Sequence, residues 1–248
     1  MQDVPVTIVM YLRRQDEFVE SMYTQSIHQG GGQGFDDFVE QFHDRPLQWH
    51  RLVDAYGARF GYDHLVVRRY HRAFLPENDS LIRDFLLAVG LRPSIIEALL
   101  KNHKADTPNK GYSAPAIAIA RLTNPYLNRE EQKQLRKILQ ENAAKELFSP
   151  YSYWYPHDKK AFLAEYTDSN RAILQRFYPG TTDQLFPEED LDESVSSGVE
   201  ISSGVVSVEA IVPIIMKSII HLSEKPVKTR PSFIYRAIAR ARRVFDRS

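Results

Sequence analysis

Near its start the chain carries Val6-Thr7-Ile8-Val9-Met10-Tyr11-Leu12, a mostly apolar run that stops on two arginines, Arg13 and Arg14. β-Branched, aromatic and large apolar residues without clear alternation suit a strand buried on both faces in a parallel sheet. Past the arginines, Phe18, Val19, Met22, Tyr23 and Ile27 recur at the spacing of one helix face. The expected order is therefore strand, basic turn, helix. In open α/β sheets, ligands sit beyond the carboxyl ends of the strands, where Arg13 and Arg14 emerge. An anion is the natural ligand at such a place.

The spacing sharpens this expectation. Ser21 follows Arg13 by about two helical turns at ~3.6 residues per turn, so a guanidinium fork and a hydroxyl can converge on one phosphate. Asp16, Glu17 and Glu20 already satisfy the start of the helix dipole, so Arg13 has to carry the attraction. An ordinary strand-to-helix turn with solvated arginines is the competing interpretation.

Further along, Phe35, Phe38, Val39 and Phe42 predict one short helix, and Trp49, Leu52, Val53, Tyr56 and Phe60 a second, with Gly61 suited to its end. His64 to Tyr70 reads as another strand ending in basic residues, Arg68 and Arg69. Leu81, Ile82, Phe85, Leu86 and Val89 fall on one face of a helix from Ser80 to Leu91, and Leu135, Ile138, Leu139 and Leu147 on the inner face of another from Glu130 to Phe148. The run Gly30-Gly31-Gly32-Gln33-Gly34 follows a helix and is not followed by Lys-Ser or Lys-Thr, so it predicts a flexible loop rather than a phosphate cradle. The aromatic-rich stretch Tyr151 to Tyr155 reads either as a sugar-stacking platform or as a packed loop that closes the domain, the latter being favoured.

The segment Tyr11-Leu12-Arg13-Arg14-Gln15-Asp16-Glu17-Phe18, with Glu20 and Ser21, resembles the sulfotransferase superfamily, in particular its bacterial carbohydrate-type members. The resemblance extends over roughly residues 5 to 187, through the strand around Val67 and the helix after it, Asn109 to Asn124, Tyr166 to Arg171, and Leu185-Phe186. It implies an α/β fold, a P-loop-like parallel sheet flanked by helices. It also implies that Arg13 and Ser21 bind the 3′-phosphate of 3′-phosphoadenylyl sulfate (PAPS), the co-substrate, and that Tyr70 helps contain the adenine. The activity implied is transfer of a sulfuryl group to a glycan hydroxyl, with a glycan acceptor as partner.

That family carries a donor loop of the Lys-Thr-Gly-Thr-Thr type on a strand before this one, with the catalytic base beyond it. Only five residues precede Val6, so the expectation is a domain incomplete at its N-terminus and inactive as this chain alone. The catalytic residues stay unknown: the eight histidines all lie after the Arg13–Ser21 block, and none has a recognisable partner. No metal-ligand spacing occurs. The alternatives are a non-catalytic nucleotide-binding or assembly module retaining the scaffold, and a remnant of a P-loop-like nucleotide kinase.

Composition bears on the remainder. Thirty-two basic residues balance 32 acidic ones, which argues against a specific nucleic-acid partner, and there is no cysteine for disulfides or thiolate sites. No apolar run reaches the ~18 residues of a spanning helix, and the expected location is cytoplasmic. The neutral total hides two blocks. The acids Asp183, Glu188, Glu189, Asp190, Asp192, Glu193 and Glu200 gather where residues 188–204 read as a linker. Residues 205–248 read as an amphipathic helical extension. Within it, residues 225–248 set eight basic side chains against Asp246, suiting an anionic membrane surface, peripherally bound, or a partner protein. Residues 1–187 form the expected sulfotransferase-like domain.

Overall fold

Two five-residue strands pair in parallel and set the frame. In the computed structural model, which describes residues 6–42, 47–76, 80–101, 113–142, 152–181 and 184–187, β1 is Ile8–Leu12 and β2 is Leu65–Arg69. The register runs Ile8 against Leu65 through Leu12 against Arg69, without offset. Both strands therefore end side by side, and the Tyr70 N–H donates to the Leu12 carbonyl at 2.7 Å, one step past the ladder. The protein is mixed α/β and mostly helical, with this small parallel sheet flanked by helices. The sequence-predicted linker and tail, Asn109 and Leu147 lie outside the described residues.

The chain divides into two compact units. The first draws on Met1–Phe18, Asp44–Pro108 and Pro156–Val195. It holds both strands, the first turn of α1 (Gln15–His28), α3 (Trp49–Phe60), α4 (Leu81–Ala88), α5 (Pro93–Leu100), α8 (Pro156–Ala164) and α9 (Thr167–Phe177). Strand alternation aims Ile8, Met10, Leu12, Leu65 and Val67 at one side of the sheet. There they meet Val53 and Trp49 of α3, Ile173, Leu174 and Phe177 of α9, and Leu185 and Phe186. Gly61 ends α3 at φ +88, where its N–H returns to the Gly57 carbonyl, a conformation that favours glycine.

The other side of the sheet carries Tyr11 and Arg68 beside Val9 and Val66 and is only half-buried, which corrects the expectation that β1 is buried on both faces. Ile8 to Tyr11 are only half-buried. Tyr11 and Arg68 stand on that side and both bind Asp84 of α4: the Tyr11 hydroxyl donates at 2.6 Å, and Arg68 forms an ion pair through two nitrogens. This contact also turns α4. Periodicity put Leu81, Phe85 and Val89 inward, yet Phe85 is 45% exposed and Asp84 only 1%. A carboxylate that finds a guanidinium and a hydroxyl outcompetes the apolar stripe for the inward position. In α3, likewise, Val53 and Gly57 are buried, while Leu52, Tyr56 and Phe60 face solvent.

The second unit draws on Val19–His43, Asn109–Tyr155 and Ser196–Ser248. It contains the rest of α1, together with α2 (Phe35–Glu40), α6 (Ala114–Thr123) and α7 (Arg129–Asn142). Val19, Tyr23 and Ile27 are fully buried, at a spacing of four, whereas Met22, expected on the same face, is exposed. Tyr23 packs its ring against Phe35, Phe38 and Tyr153, and Phe35 meets Trp154 edge-on. Burial of each such ring contributes ~1.5–3 kcal/mol. In the aromatic stretch after Tyr151, Tyr153 and Trp154 are buried, as in a packed loop, while Tyr155 is exposed. The glycine run is tied down as well. The Asn124 side-chain amide donates to the carbonyls of Ile27 and Gly31 at 2.8 Å each, and a Cβ on Gly32 would sit 2.5 Å from Pro125 Cγ.

Candidate functional site

The unshifted pairing of β1 and β2 delivers two of the predicted residues to one place. Arg13 follows β1 and Tyr70 follows β2, and the Arg13 guanidinium carbon lies 5.5 Å from the centroid of the Tyr70 ring. Tyr70 is 37% exposed. The backbone beneath Arg13 is held by Trp49, whose indole N–H donates to the Arg13 carbonyl at 2.8 Å. Ser21 lies exposed on α1, among residues of the second unit.

The Arg13 side chain is steered from one edge. Its Nε donates to Glu17 Oε2 at 3.0 Å, and among the described residues its two terminal nitrogens meet no acceptor. Glu17 sits one helical turn along, in the first turn of α1, where a carboxylate also suits the helix dipole.

Arg14, the second arginine of the turn, does different work. It is buried, and Nε and Nη2 grip the two oxygens of Asp16 at 2.7 and 2.9 Å while Nη1 donates to the Pro187 carbonyl. Lys159 of α8 approaches Asp16 at 3.2 Å. Burial pushes the Asp16 carboxyl up, but the Arg14 guanidinium and the Lys159 ammonium outweigh it and hold the group below the usual carboxylate range. Gln15 is fully buried and exchanges amide hydrogen bonds with Asn170 of α9. Of the run Arg13 to Glu17, Arg13 is the most exposed, at 34% of its side chain.

Arg68 and Arg69, at the end of β2, are structural. Arg68 pairs with Asp84, and Arg69 lies between the rings of Phe74 and Tyr178, 3.3 and 4.6 Å from their centroids. Burial raises the Tyr11 hydroxyl well above its ordinary range, helped by Asp84. For Asp84, burial again acts upward and is overcome by Arg68 and Tyr11, so the carboxylate stays ionised. This cluster escaped the sequence reading, because nothing in a helix face marks one aspartate as the inward residue. A polar residue at alternate positions in both strands, Tyr11 and Arg68, was the available signal.

Among the described residues, no group of three or more acidic or histidine side chains is placed to hold a metal ion, and no helix is long and apolar enough to cross a membrane.

Comparison with known proteins yields one similarity. An uncharacterized protein of Archaeoglobus fulgidus is 27% identical over 188 residues, covering 75% of this chain and 49% of that protein. The chain thus spans about half the length of the relative it matches. No family model and no solved structure matches.

Proposed function

We propose that the carboxyl edge of the β1–β2 sheet is a nucleotide phosphate site on a P-loop-like, sulfotransferase-type scaffold. Arg13 takes the 3′-phosphate of PAPS and Tyr70 lies against the base or ribose. The resemblance of Tyr11 to Ser21 also gives the Ser21 hydroxyl a phosphate-binding role. The reaction class is transfer of a sulfuryl group to a glycan hydroxyl.

One observation carries the reading: parallel strands paired without offset bring a half-open arginine and an exposed tyrosine to within 5.5 Å, at the sheet edge where α/β proteins bind ligands. The two terminal nitrogens of Arg13 present the fork that matches a phosphate's paired oxygens. Tyr70 supplies a flat apolar surface beside it.

The test is a calorimetric titration with 3′,5′-adenosine bisphosphate and with 5′-AMP. A charge-assisted phosphate contact contributes ~1.5–3 kcal/mol, so the bisphosphate should bind ~10- to 100-fold more tightly. Arg13→Ala should erase that preference without unfolding the chain, as checked by circular dichroism. Equal binding of both nucleotides, or none by a folded chain, contradicts the proposal.

A further inference from the structure

We infer that Glu17 is a positioning residue that holds the Arg13 fork ready for a phosphate. It does so as a link of a charged relay, Lys159, Asp16, Arg14, Glu17, Arg13, that passes through the buried Asp16 and Arg14 to the surface of the first unit. This inference rests on the nucleotide-site reading above and says how that site is kept in shape.

The relay is continuous. Lys159 Nζ lies 3.2 Å from Asp16 Oδ2, and Asp16 takes both Nε and Nη2 of Arg14. Arg14 Nη2 lies 3.7 Å from Glu17 Oε1, and the other oxygen of Glu17, Oε2, accepts from Arg13 Nε at 3.0 Å. Side-chain exposure is 13% at Lys159 and 0% at Asp16, then rises through 7% at Arg14 and 19% at Glu17 to 34% at Arg13. The middle of the relay is dry and the Arg13 end is wet.

This geometry decides what Glu17 does to the site. A carboxylate gripping the two terminal nitrogens of Arg13 would occupy the face that a phosphate needs, and would compete with it. Glu17 grips Nε instead, on the side edge of the guanidinium, and among the described residues neither terminal nitrogen meets an acceptor, so the end-on edge between the two terminal nitrogens stays open. Holding Nε fixes the plane of the fork beside Tyr70, so less rotamer freedom remains to be lost when an anion arrives.

Glu17→Gln keeps an oxygen that can accept from Nε, whereas Glu17→Ala removes it. Two readouts are taken on the full chain. The first is water exchange of the Arg13 Nε–H by nitrogen-15 NMR without ligand. It should be slow in the wild type and in Glu17→Gln, and should accelerate ~10-fold or more in Glu17→Ala. The second is the preference for 3′,5′-adenosine bisphosphate over 5′-AMP. It should survive within ~3-fold in Glu17→Gln and fall ~10-fold in Glu17→Ala, a pattern that a loss of thermal stability alone would not produce. Tighter bisphosphate binding by both variants would make Glu17 a competitor and overturn the inference, as would unchanged exchange and preference in Glu17→Ala. Slow Nε–H exchange that depends on Glu17, in a wild type lacking any bisphosphate preference, would overturn the nucleotide site and leave the positioning intact.

Discussion

Asp16 and Asp84 are carboxylates with almost no solvent exposure, and both belong to the first unit, where Arg14, Lys159, Arg68 and Tyr11 surround them. The second unit fills its interior with Tyr23, Phe35, Ile27, Leu139 and the alanines of α6. Its buried hydrogen bonds run mainly from side chains to backbone, as with Asn124 to Ile27 and Gly31. The difference is one of directionality. Rings and methyl groups pack without a preferred partner, whereas a buried carboxylate must be met by particular donors at particular angles. The first unit's interior therefore fixes the orientation of charged side chains, and Arg13, 34% exposed, stands at the end of that network. The second unit's interior supplies stability.

The largest effect should separate the two directly. Asp16→Ala leaves Arg14 and Lys159 facing each other without their shared anion, and breaking a buried pair from one side costs ~3–5 kcal/mol. Urea unfolding should show that loss. A shift below ~1 kcal/mol would mean that the network is hydrated rather than buried, and the contrast would collapse.

Acid should then unfold the units' contributions in sequence. Burial, assisted by Arg136, pushes His28 of the second unit down to about 4 from 6.5. The unfolded chain takes up that proton first, so the stability tied to neutral His28 is complete above ~pH 6.5 and is lost as pH falls toward 4. Asp16 and Asp84 have lowered values, so their contribution is complete above the ~3.9 of an unfolded aspartate and is lost only below it. Melting temperature against pH should thus decline in two stages, and His28→Gln should flatten the first and leave the second. A single decline confined to acid below pH 4 contradicts this order.

The smallest effect tests the second unit's tolerance. Tyr23→Phe removes only a hydroxyl that donates to the Gln33 carbonyl at 3.2 Å and keeps every ring contact, so it should cost ~1 kcal/mol. A loss as large as that for Asp16→Ala would show that the second interior is also organised by its polar contacts.

The same contrast explains which parts of the molecule could be read in the sequence. β1 and the start of α1 were legible because an apolar run ends on Arg13 and Arg14, and β2 because Leu65, Val66 and Val67 repeat the pattern. Helix faces were less so. In α4 and α3, periodicity chose Phe85, Tyr56 and Phe60, and the fold turned them outward; it buried Asp84 and Gly57, which periodicity passed over, together with Val53, which it included. The helix α5, Pro93–Leu100, was not anticipated. At the candidate site, the sequence placed Arg13 and Tyr70 at strand ends and the strand register brought them together. The relay behind Arg13 was hidden, because Lys159 reaches Asp16 from a helix far along the chain, and linear spacing carries no trace of that contact.

The central claim is that Arg13 and Tyr70, brought together by the sheet, hold a nucleotide phosphate. A crystal structure of the chain soaked with 3′,5′-adenosine bisphosphate tests it most directly. The account predicts a phosphate with two oxygens ~2.7–2.9 Å from the terminal nitrogens of Arg13, Glu17 still on Nε, and the nucleoside against the Tyr70 ring. A phosphate bound elsewhere, with the Arg13 fork vacant and Tyr70 untouched, would contradict it.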